Sequence, residues 1–472
     1  MDHHSWRQCD TAAIAASFVR EDASILRPRV DWRGTTNGEV EWNFPLFSYL
    51  LSLLYRLFGV HDVLGRGLSV VFSLAGVGML YLLARRTRGE AVALMSAAFF
   101  AVNPLAVFFG RAVMPESLLL FGALTFLWAL DRWASGGGRL ELVVATVALA
   151  CVGLVKIPFG FLVLPGAALV AQRQGARRLL DYRLWSGGAV ALIAVLVWYH
   201  HAHMVGAETG LSFAPIWSIG DDKWGNLTLL TTADFWTTMG NRGLDLVAPR
   251  GLSLLVAVGL LVAGRRRETW WLVAFLAGAV LYMLIIAGGH YAHTYYQLAF
   301  VPIAALLAAE GAREVVLRAR SGGWARGLAI ALVVVAAATG IERGHRSLRR
   351  MWAPRADFVA MGAALAALTG EADKIITVGS CCLPEAFYFS HRKGWSGAGV
   401  SDPGPWVAQR IEEGARAAAL VTIYGTPVAE LIASDPLASW LSAHYRESAS
   451  GKNFAVIDLH APRDGGDAPA SR

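Results

Sequence analysis

The stretch "GLSVVFSLAGVGMLYLLA", from Gly67 to Ala84, carries no charge over 18 residues. As a helix it would reach about 27 Å at ~1.5 Å per residue, close to the ~30 Å hydrocarbon core of a bilayer. Comparable apolar segments recur at 66–84, 90–109, 115–132, 139–155, 157–172, 186–203, 247–264, 269–288, 295–312 and 326–341. Backbone groups in lipid must bond within their own segment, so each is expected to be a helix. The composition agrees: 55% of residues are hydrophobic and 16% charged, against about a quarter charged in soluble domains. The expected fold class is an all-α polytopic membrane protein of about 10 transmembrane helices. The segments at 157–172 and 326–341 are short, and the former holds Pro158 and Pro165. "PLFSYLLSLLYRLFG", at 45–59, is shorter still and broken by Arg56; it reads as a helix lying in the interface.

The net charge is +7, but the arginines do not mark a nucleic-acid site. They sit in clusters such as "ARRTRG", "RQGARR" and "GRRRE" between apolar segments, as cytoplasmic loops do. Alternate loops hold sixteen Lys and Arg on one side and four on the other. The basic side is expected to be cytoplasmic, which turns the opening segment, the 204–249 loop and the tail outward. No signal peptide precedes the opening segment. Either a preceding transmembrane helix is missing from this numbering or the next helix carries the N-terminus across, and the first is favoured.

After about 345 the pattern changes. "DKIITVGS", "AALVTIYG" and "KNFAVIDL" read as strands; "WVAQRIEEGARA" and "VAELIASDPLASWLSAH" read as amphipathic helices. That alternation predicts a small C-terminal extracytoplasmic α/β domain. The chain divides into a first loop with interfacial helices at 1–65, a membrane bundle at 66–345, the α/β domain at 346–462 and a disordered end at 463–472. Cys9, Cys151, Cys381 and Cys382 fit neither a metal site nor a disulfide framework, and the adjacent pair reads as small residues.

Ionisable residues at outward helix ends are the candidates for chemistry, because charge near lipid is costly unless used or paired. Asp10, after Arg7 and Gln8, precedes "TAAIAASF" and is either a catalytic acid or a helix N-cap. With an ordinary pKa near ~4 it is expected to be ionised at neutral pH. Glu41 precedes the interfacial helix, and Arg66 opens the first span. Arg111 and Glu116 flank "AVMP", where Glu116 is either functional or a helix-end acid. Lys156 lies between two spans with no acid near it in sequence, and either snorkels or contacts an anion. "HYAH" gives His290 and His293, followed by Tyr295 and Tyr296. The two histidines have a metal-ligand spacing but no accompanying carboxylate, so no metal ligand is assigned. Together these groups suit a reaction on a lipid-linked phosphosugar: a carboxylate takes the proton of an attacking hydroxyl, and cations stabilise the departing phosphate.

At these residues the chain resembles the GT-C superfamily of polyprenyl-phosphate-sugar glycosyltransferases, relatives of which are the protein O-mannosyltransferases and the lipid A aminoarabinose transferase. "WRQCDTAAIA" is similar to the family's first outer loop, with its catalytic Asp. "EWNFPLFSYLLSLLYRLFGVHDVLGRGLS" resembles the Glu-Lys-Pro-Pro loop, the interfacial helix and the Arg after it. "GRAVMPESLLLF" is similar to the second acidic loop, "GLVKIPFGFLVLP" to the lysine loop, and "HTYYQLAFVPIAALLA" to the late His/Tyr–Tyr segment. The resemblance covers about 1–310. Asn43 and Phe44 stand where the Glu-Lys-Pro lysine would be, the second acid is Glu116, the lysine loop lacks its Gly, and the family's first transmembrane helix is absent.

The resemblance implies an inverting glycosyltransferase at the plasma membrane, working on the extracytoplasmic side. Its donor would be a sugar on undecaprenyl or decaprenyl phosphate, its acceptor a hydroxyl of a protein, lipid or glycan. Asp10 would be the general base. Glu116 would position the acceptor or assist a cation, a divalent ion being one option. Arg66, Arg111, Lys156 and His290 would offset phosphate charge, and Glu41 would orient one of them. Arg7, Gln8, His293 and Tyr296 complete the substrate-binding set. The rivals are a transporter or flippase of polyprenyl-linked lipids, which needs charges along a path through the membrane, and a non-catalytic membrane scaffold.

Overall fold

The computed structural model describes residues 2–213, 224–225, 227–319, 323–353, 355–379, 383–422 and 426–463. Cys381, Cys382, the far end of "AALVTIYG" and the tail beyond Arg463 lie outside the described residues. The chain forms two compact units. A terminal unit gathers 1–61, 202–213 and 353–472, and a helical unit holds 62–201 and 214–352. The boundaries drawn from sequence at 65 and 346 therefore separate two chain ends that the structure packs as one unit.

Among the described residues, five helices are long and apolar enough to cross a membrane: Asp62–Arg88, Glu116–Ala134, Tyr182–Thr209, Arg267–Ile285 and Gly323–Ser347. A sixth candidate is the pair Ala233–Val247 and Arg250–Arg265, bent by 98°. This is an integral membrane protein. Other apolar segments are shorter or interrupted helices, and proline accounts for the breaks. The 90–109 segment divides into Glu90–Ala101 and Pro104–Phe109, where the Asn103 side chain accepts from the Leu105 and Ala106 amides. That cap satisfies the donors that the restarted helix leaves open. Segment 157–172 becomes a 3-10 turn, Ile157–Leu162, followed by Val163–Gln174. Conversely, 326–341 extends to Gly323–Ser347 and is not short.

Helices Arg250–Arg265 and Val301–Arg318 touch backbone to backbone. A Cβ on Gly259 would lie 1.8 Å from the Leu307 carbonyl oxygen, and one on Gly311 1.9 Å from that of Leu255. Small residues allow this approach where lipid offers no hydrophobic drive for association. Gly259→Ala is expected to cost about 1–3 kcal/mol, read as a lower unfolding temperature in detergent. An unchanged temperature would mean that the helices are not held at this distance.

The loop arginines have buried acidic partners that the sequence reading did not pair with them. Asp131, fully buried, accepts from Arg86 at 2.8 Å and from Arg173 at 2.7 Å. Buried Glu310 binds Arg88, and Glu314 takes Arg266 at 3.1 Å and Arg318 at 2.8 Å. A buried carboxylate needs such partners to stay charged.

In the terminal unit a five-stranded mixed sheet has the order β2-β1-β3-β5-β4, with β1 Lys374–Gly379, β2 Lys393–Ser396, β3 Ala415–Val421, β4 Tyr445–Ser450 and β5 Phe454–Pro462. Strands β2, β1 and β3 are parallel, and β5 runs antiparallel to both β3 and β4. The period of two sorts side chains between faces. Ile376, Val378, Ala418, Leu420 and Ile457 pack with Val407, Leu437 and Leu441 of the C-terminal helices. On the other face Ile375, Ala417, Ala419 and Val456 pack with Phe358, Met361 and Phe387, and with Ile14, Phe18, Val30 and Trp32 from the amino terminus. The opening segment is thus part of the sheet's core. Two strands, β2 and β4, escaped the sequence reading. The run "VAELIASDPLASWLSAH" is two helices, Val428–Ser434 and Pro436–His444, parted at Pro436.

Candidate functional site

In the terminal unit, helix Ser5–Arg20 carries Arg7, Gln8 and Asp10. It begins after His4, whose φ of 56° is left-handed. Asp10 lies in the helix interior, so the N-cap reading is set aside. Asp10 is 1% exposed, and Trp32 Nε1 donates to its Oδ1 at 3.0 Å. Its Oδ2 has no hydrogen-bond partner among the described residues. Burial, only partly countered by the Trp32 bond and the Arg7 charge, pushes the Asp10 carboxyl well above its usual range. The expectation of an ordinary ionised carboxylate is therefore corrected. An acid in this state becomes a base only as it loses its proton, and it then binds the next proton more firmly than an exposed carboxylate would.

Arg7 stacks its guanidinium 4.8 Å from the Trp42 ring centroid and 5.5 Å from that of Phe213. Gln8 turns to the chain's start, donating to Asp2 at 2.8 Å and to the His3 carbonyl at 3.1 Å. Glu41, expected to orient a phosphate-binding cation, instead accepts from the Ser212 hydroxyl at 2.7 Å and lies 3.7 Å from His203 Nδ1. Those two neighbours fix the 202–213 segment on the strand-like stretch around Glu41, where Glu41 also donates its amide to the Leu211 carbonyl at 2.9 Å.

In the helical unit a second group forms around Lys156. Helix Arg139–Val155 ends there because Pro158 cannot donate the next backbone bond. The Tyr199 hydroxyl donates to the Leu154 carbonyl at 3.3 Å, the acceptor that Pro158 leaves open. Lys156 adopts an extended backbone, φ −157° and ψ 92°. Its ammonium rests 4.0 Å from the Tyr296 ring centroid and 4.9 Å from that of Tyr295. Glu116 Oε1 is 3.7 Å away. Lys156 thus has an acid beside it after all, brought from the first turn of another helix. Glu116 is 3% exposed at the N-terminus of helix Glu116–Ala134, and its Oε2 lacks a hydrogen-bond partner among the described residues. The helix dipole favours a carboxylate at that end.

His290, between two spans, joins the same cluster through rings: its centroid is 5.3 Å from that of Tyr296 and 4.6 Å from that of Tyr282. Gln297 Nε2 and Arg242 Nη1 donate to its backbone carbonyl at 2.9 and 2.5 Å. Burial, with Lys156 and Arg242 nearby, pushes its pKa down to about 3. His290 is therefore neutral and offers a hydrogen bond, not the positive charge expected of it. His293 stacks on Tyr295 at 5.3 Å and 9°. Arg111 stacks 4.1 Å from the Trp352 ring centroid, and Arg66 opens the second turn of Asp62–Arg88. Among the described residues, no three His, Cys, Asp or Glu side chains converge to hold a metal ion, and Glu116 faces an ammonium.

The sequence reading missed Trp32, Trp352 and Glu385. Trp32 and Glu385 reach the Asp10 neighbourhood from distant segments, and no local spacing signals that.

Residues 43–200 match a family model described as dolichyl-phosphate-mannose-protein mannosyltransferase. A protein of Aquifex aeolicus (strain VF5), described as an uncharacterized protein, is 28% identical over 179 residues, which cover 36% of this chain and 35% of that relative. The chain thus spans about a third of that relative's length. Among solved structures, ArnT from Cupriavidus metallidurans bound to undecaprenyl phosphate is similar at a TM-score of 0.61 and 13% identity, over 96% of this chain and 93% of that one. The oligosaccharyltransferase of Archaeoglobus fulgidus in its apo form is similar at a TM-score of 0.59 and 12% identity, over 93% of this chain and 69% of that one. Its complex with an inhibitory peptide and a dolichol phosphate, as AglB, gives 0.58 and 12%, over 96% and 70%. At these identities the likeness shows the fold, and it is the GT-C glycosyltransferase fold that the sequence motifs imply.

Proposed function

We propose that this protein is a membrane glycosyltransferase that moves a sugar from a polyprenyl phosphate to an acceptor hydroxyl. The reading rests on one group in each unit, on a GT-C fold. One is a buried carboxyl, Asp10, with an oxygen left unbonded among the described residues. The other is an ammonium, Lys156, held among tyrosines beside Glu116. The matched family and the two solved relatives, by their descriptions, concern dolichyl phosphate mannose, undecaprenyl phosphate and dolichol phosphate. That supports a polyprenyl-phosphate donor here.

In this reading the acceptor O–H gives its proton to Asp10 as its oxygen bonds to the sugar's anomeric carbon. The bond from that carbon to the phosphate oxygen breaks, and the electron pair leaves with the lipid phosphate. Attack opposite the leaving group inverts the anomeric centre. Lys156 offsets the phosphate charge, Tyr296 and neutral His290 add hydrogen bonds, and Arg66 and Arg111 supply further positive charge. Reconstituted protein given undecaprenyl-phosphate-linked radiolabelled mannose and membrane acceptors tests this. Labelled product and free undecaprenyl phosphate should appear together. Lipid translocation without cleavage of the sugar–phosphate bond would replace the reading with a transporter.

The sixteen-to-four asymmetry of loop charge supports an outward-facing terminal unit. Ser401 lies in an exposed bend of that unit. Ser401→Cys in intact cells should react with an impermeant thiol reagent. Reaction only after lysis would place the unit, and the transfer, on the cytoplasmic side.

A further inference from the structure

Three helices end together around one buried acid. Asp131 lies in the last turn of Glu116–Ala134, Arg86 in that of Asp62–Arg88 and Arg173 in that of Val163–Gln174. A carboxylate at a helix C-terminus opposes the dipole, and Asp131 is fully buried, so it needs cations to stay charged. It has two. Arg86 Nε donates to its Oδ2 at 2.8 Å, and Arg173 Nε to its Oδ1 at 2.7 Å. Arg173 Nη2 also donates to the Arg86 carbonyl at 3.2 Å. The other Nη groups of the pair make no hydrogen bond among the described residues. The two arginine side chains are 33% and 29% exposed. One carboxylate thus holds two guanidinium forks, and one positive charge is left over.

The neighbouring arginines are matched differently. Arg85, Arg132 and Arg178 each face one acid: Glu90 at 2.9 Å, Glu141 at 3.0 Å and Asp181 at 2.8 Å. Arg88 faces Glu310. Excess charge therefore sits on the Arg86–Arg173 pair and on Arg177 and Arg183, which are exposed and form no ion pair among the described residues. Depth decides which anion meets that charge. Asp62–Arg88, Glu116–Ala134 and Tyr182–Thr209 are long and apolar enough to span. Arg86, Asp131 and Tyr182 stand at their ends, at the level of lipid headgroups. The turn Ala176–Leu180 follows Arg173, and its Arg178 guanidinium rests 4.6 Å from the Trp133 ring centroid. Leu180, Tyr182 and Trp185 are exposed, and Trp185 Nε1 donates to the Leu179 carbonyl at 2.8 Å. Arginines beside exposed Tyr and Trp at the end of a span suit a bilayer interface.

We propose that Arg86 and Arg173, held by Asp131, bind the phosphate of an anionic phospholipid of the surrounding bilayer, with Arg177 adding charge. A guanidinium fork matches two phosphate oxygens. A choline or ethanolamine head brings its own cation, which the excess charge repels, so the ligand is a phospholipid of net negative charge such as phosphatidylglycerol. The site is separate from the one around Lys156. Glu116 and Asp131 are fifteen residues apart on one helix, about 22 Å along its axis. The inference therefore does not rest on the transfer reaction.

The test is native mass spectrometry of the detergent-purified protein, titrated with dioleoylphosphatidylglycerol or dioleoylphosphatidylcholine. The parent should bind the anionic lipid more tightly. R173Q leaves Asp131 paired with Arg86 but removes the excess charge. Its affinity for phosphatidylglycerol should fall about tenfold, the scale of one charge-assisted contact. R85Q removes a charge already matched by Glu90 and should bind as the parent does. If R173Q does not fold, R177Q serves, because it breaks no ion pair; a loss of about fivefold is expected. Parent affinity in R173Q, or in R177Q where it stands in, overturns the inference. So does an equal loss in R85Q, or equal binding of phosphatidylcholine. Displacement by millimolar inorganic phosphate would make this a site for the free anion, and an equal loss of undecaprenyl phosphate binding in R173Q would make it part of the donor site; either result also overturns it.

Discussion

Asp10→Asn is expected to lower sugar transfer by about 10²-fold or more, the usual scale for removing a general base. The amide keeps the shape of the carboxyl and can still accept from Trp32 Nε1, but it cannot take the acceptor's proton. Loss of fold would be the trivial explanation, and the sign of the pKa shift argues against it. The folded pKa lies above the unfolded value. The stability tied to this group is therefore complete below about pH 4 and is lost as pH rises through the folded pKa. Removing a titrating acid from a dry site should leave the variant at least as stable at neutral pH. The parent's transfer should rise with pH along an acid limb displaced above the ordinary carboxylate range. Trp32→Phe, which deletes the hydrogen bond favouring the ionised form, should move that limb further up. A limb at the normal carboxylate position, or parent-rate transfer by Asp10→Asn, would exclude Asp10 and leave Glu116 and Glu41 as candidates.

The helical bundle was legible because uncharged length is itself a physical requirement for crossing lipid. The break at Pro104 was missed, since 90–109 read as one span, and at 157–172 only the presence of Pro158 and Pro165 was noted; the caps that repair the breaks were not legible either. Asn103 and Tyr199 repair the chain through bonds that no periodicity encodes. Site residues were readable as types at helix ends. Their partners were not, since partners come from tertiary packing. Lys156 looked isolated because Glu116 enters from another helix. His290 looked like a cation because composition is silent about burial. The opening segment looked like a separate loop, although Ile14 and Phe18 belong to the core on one face of the C-terminal sheet. Alternation revealed β1, β3 and β5, whose side chains divide between two apolar faces. Strand β4, with mostly exposed side chains from Arg446 to Ser450, gave no such signal.

Lys156→Gln is expected to weaken binding of undecaprenyl phosphate about 10- to 100-fold, the effect of losing a charge-assisted contact worth about 1.5–3 kcal/mol. The ammonium is already prepared for an anion. Its side chain is 13% exposed and its charge lies on the Tyr296 face, so it has lost most of its water before any lipid arrives. Glu116 at 3.7 Å opposes that use, because the pair carries no net charge. A bound phosphate must therefore share Lys156 with Glu116, and the two substitutions should act in opposite directions. Glu116→Gln takes this acid's charge away from the ammonium and should tighten undecaprenyl phosphate binding, while Lys156→Gln loosens it. The double variant should resemble Lys156→Gln, which separates loss of the cation from the cost of stranding a buried carboxylate. If Lys156→Gln bound the lipid phosphate as the parent does, or if Glu116→Gln weakened it, the ammonium would be a structural counter-ion for Glu116, and the phosphate would have to be held by Arg66 or Arg111.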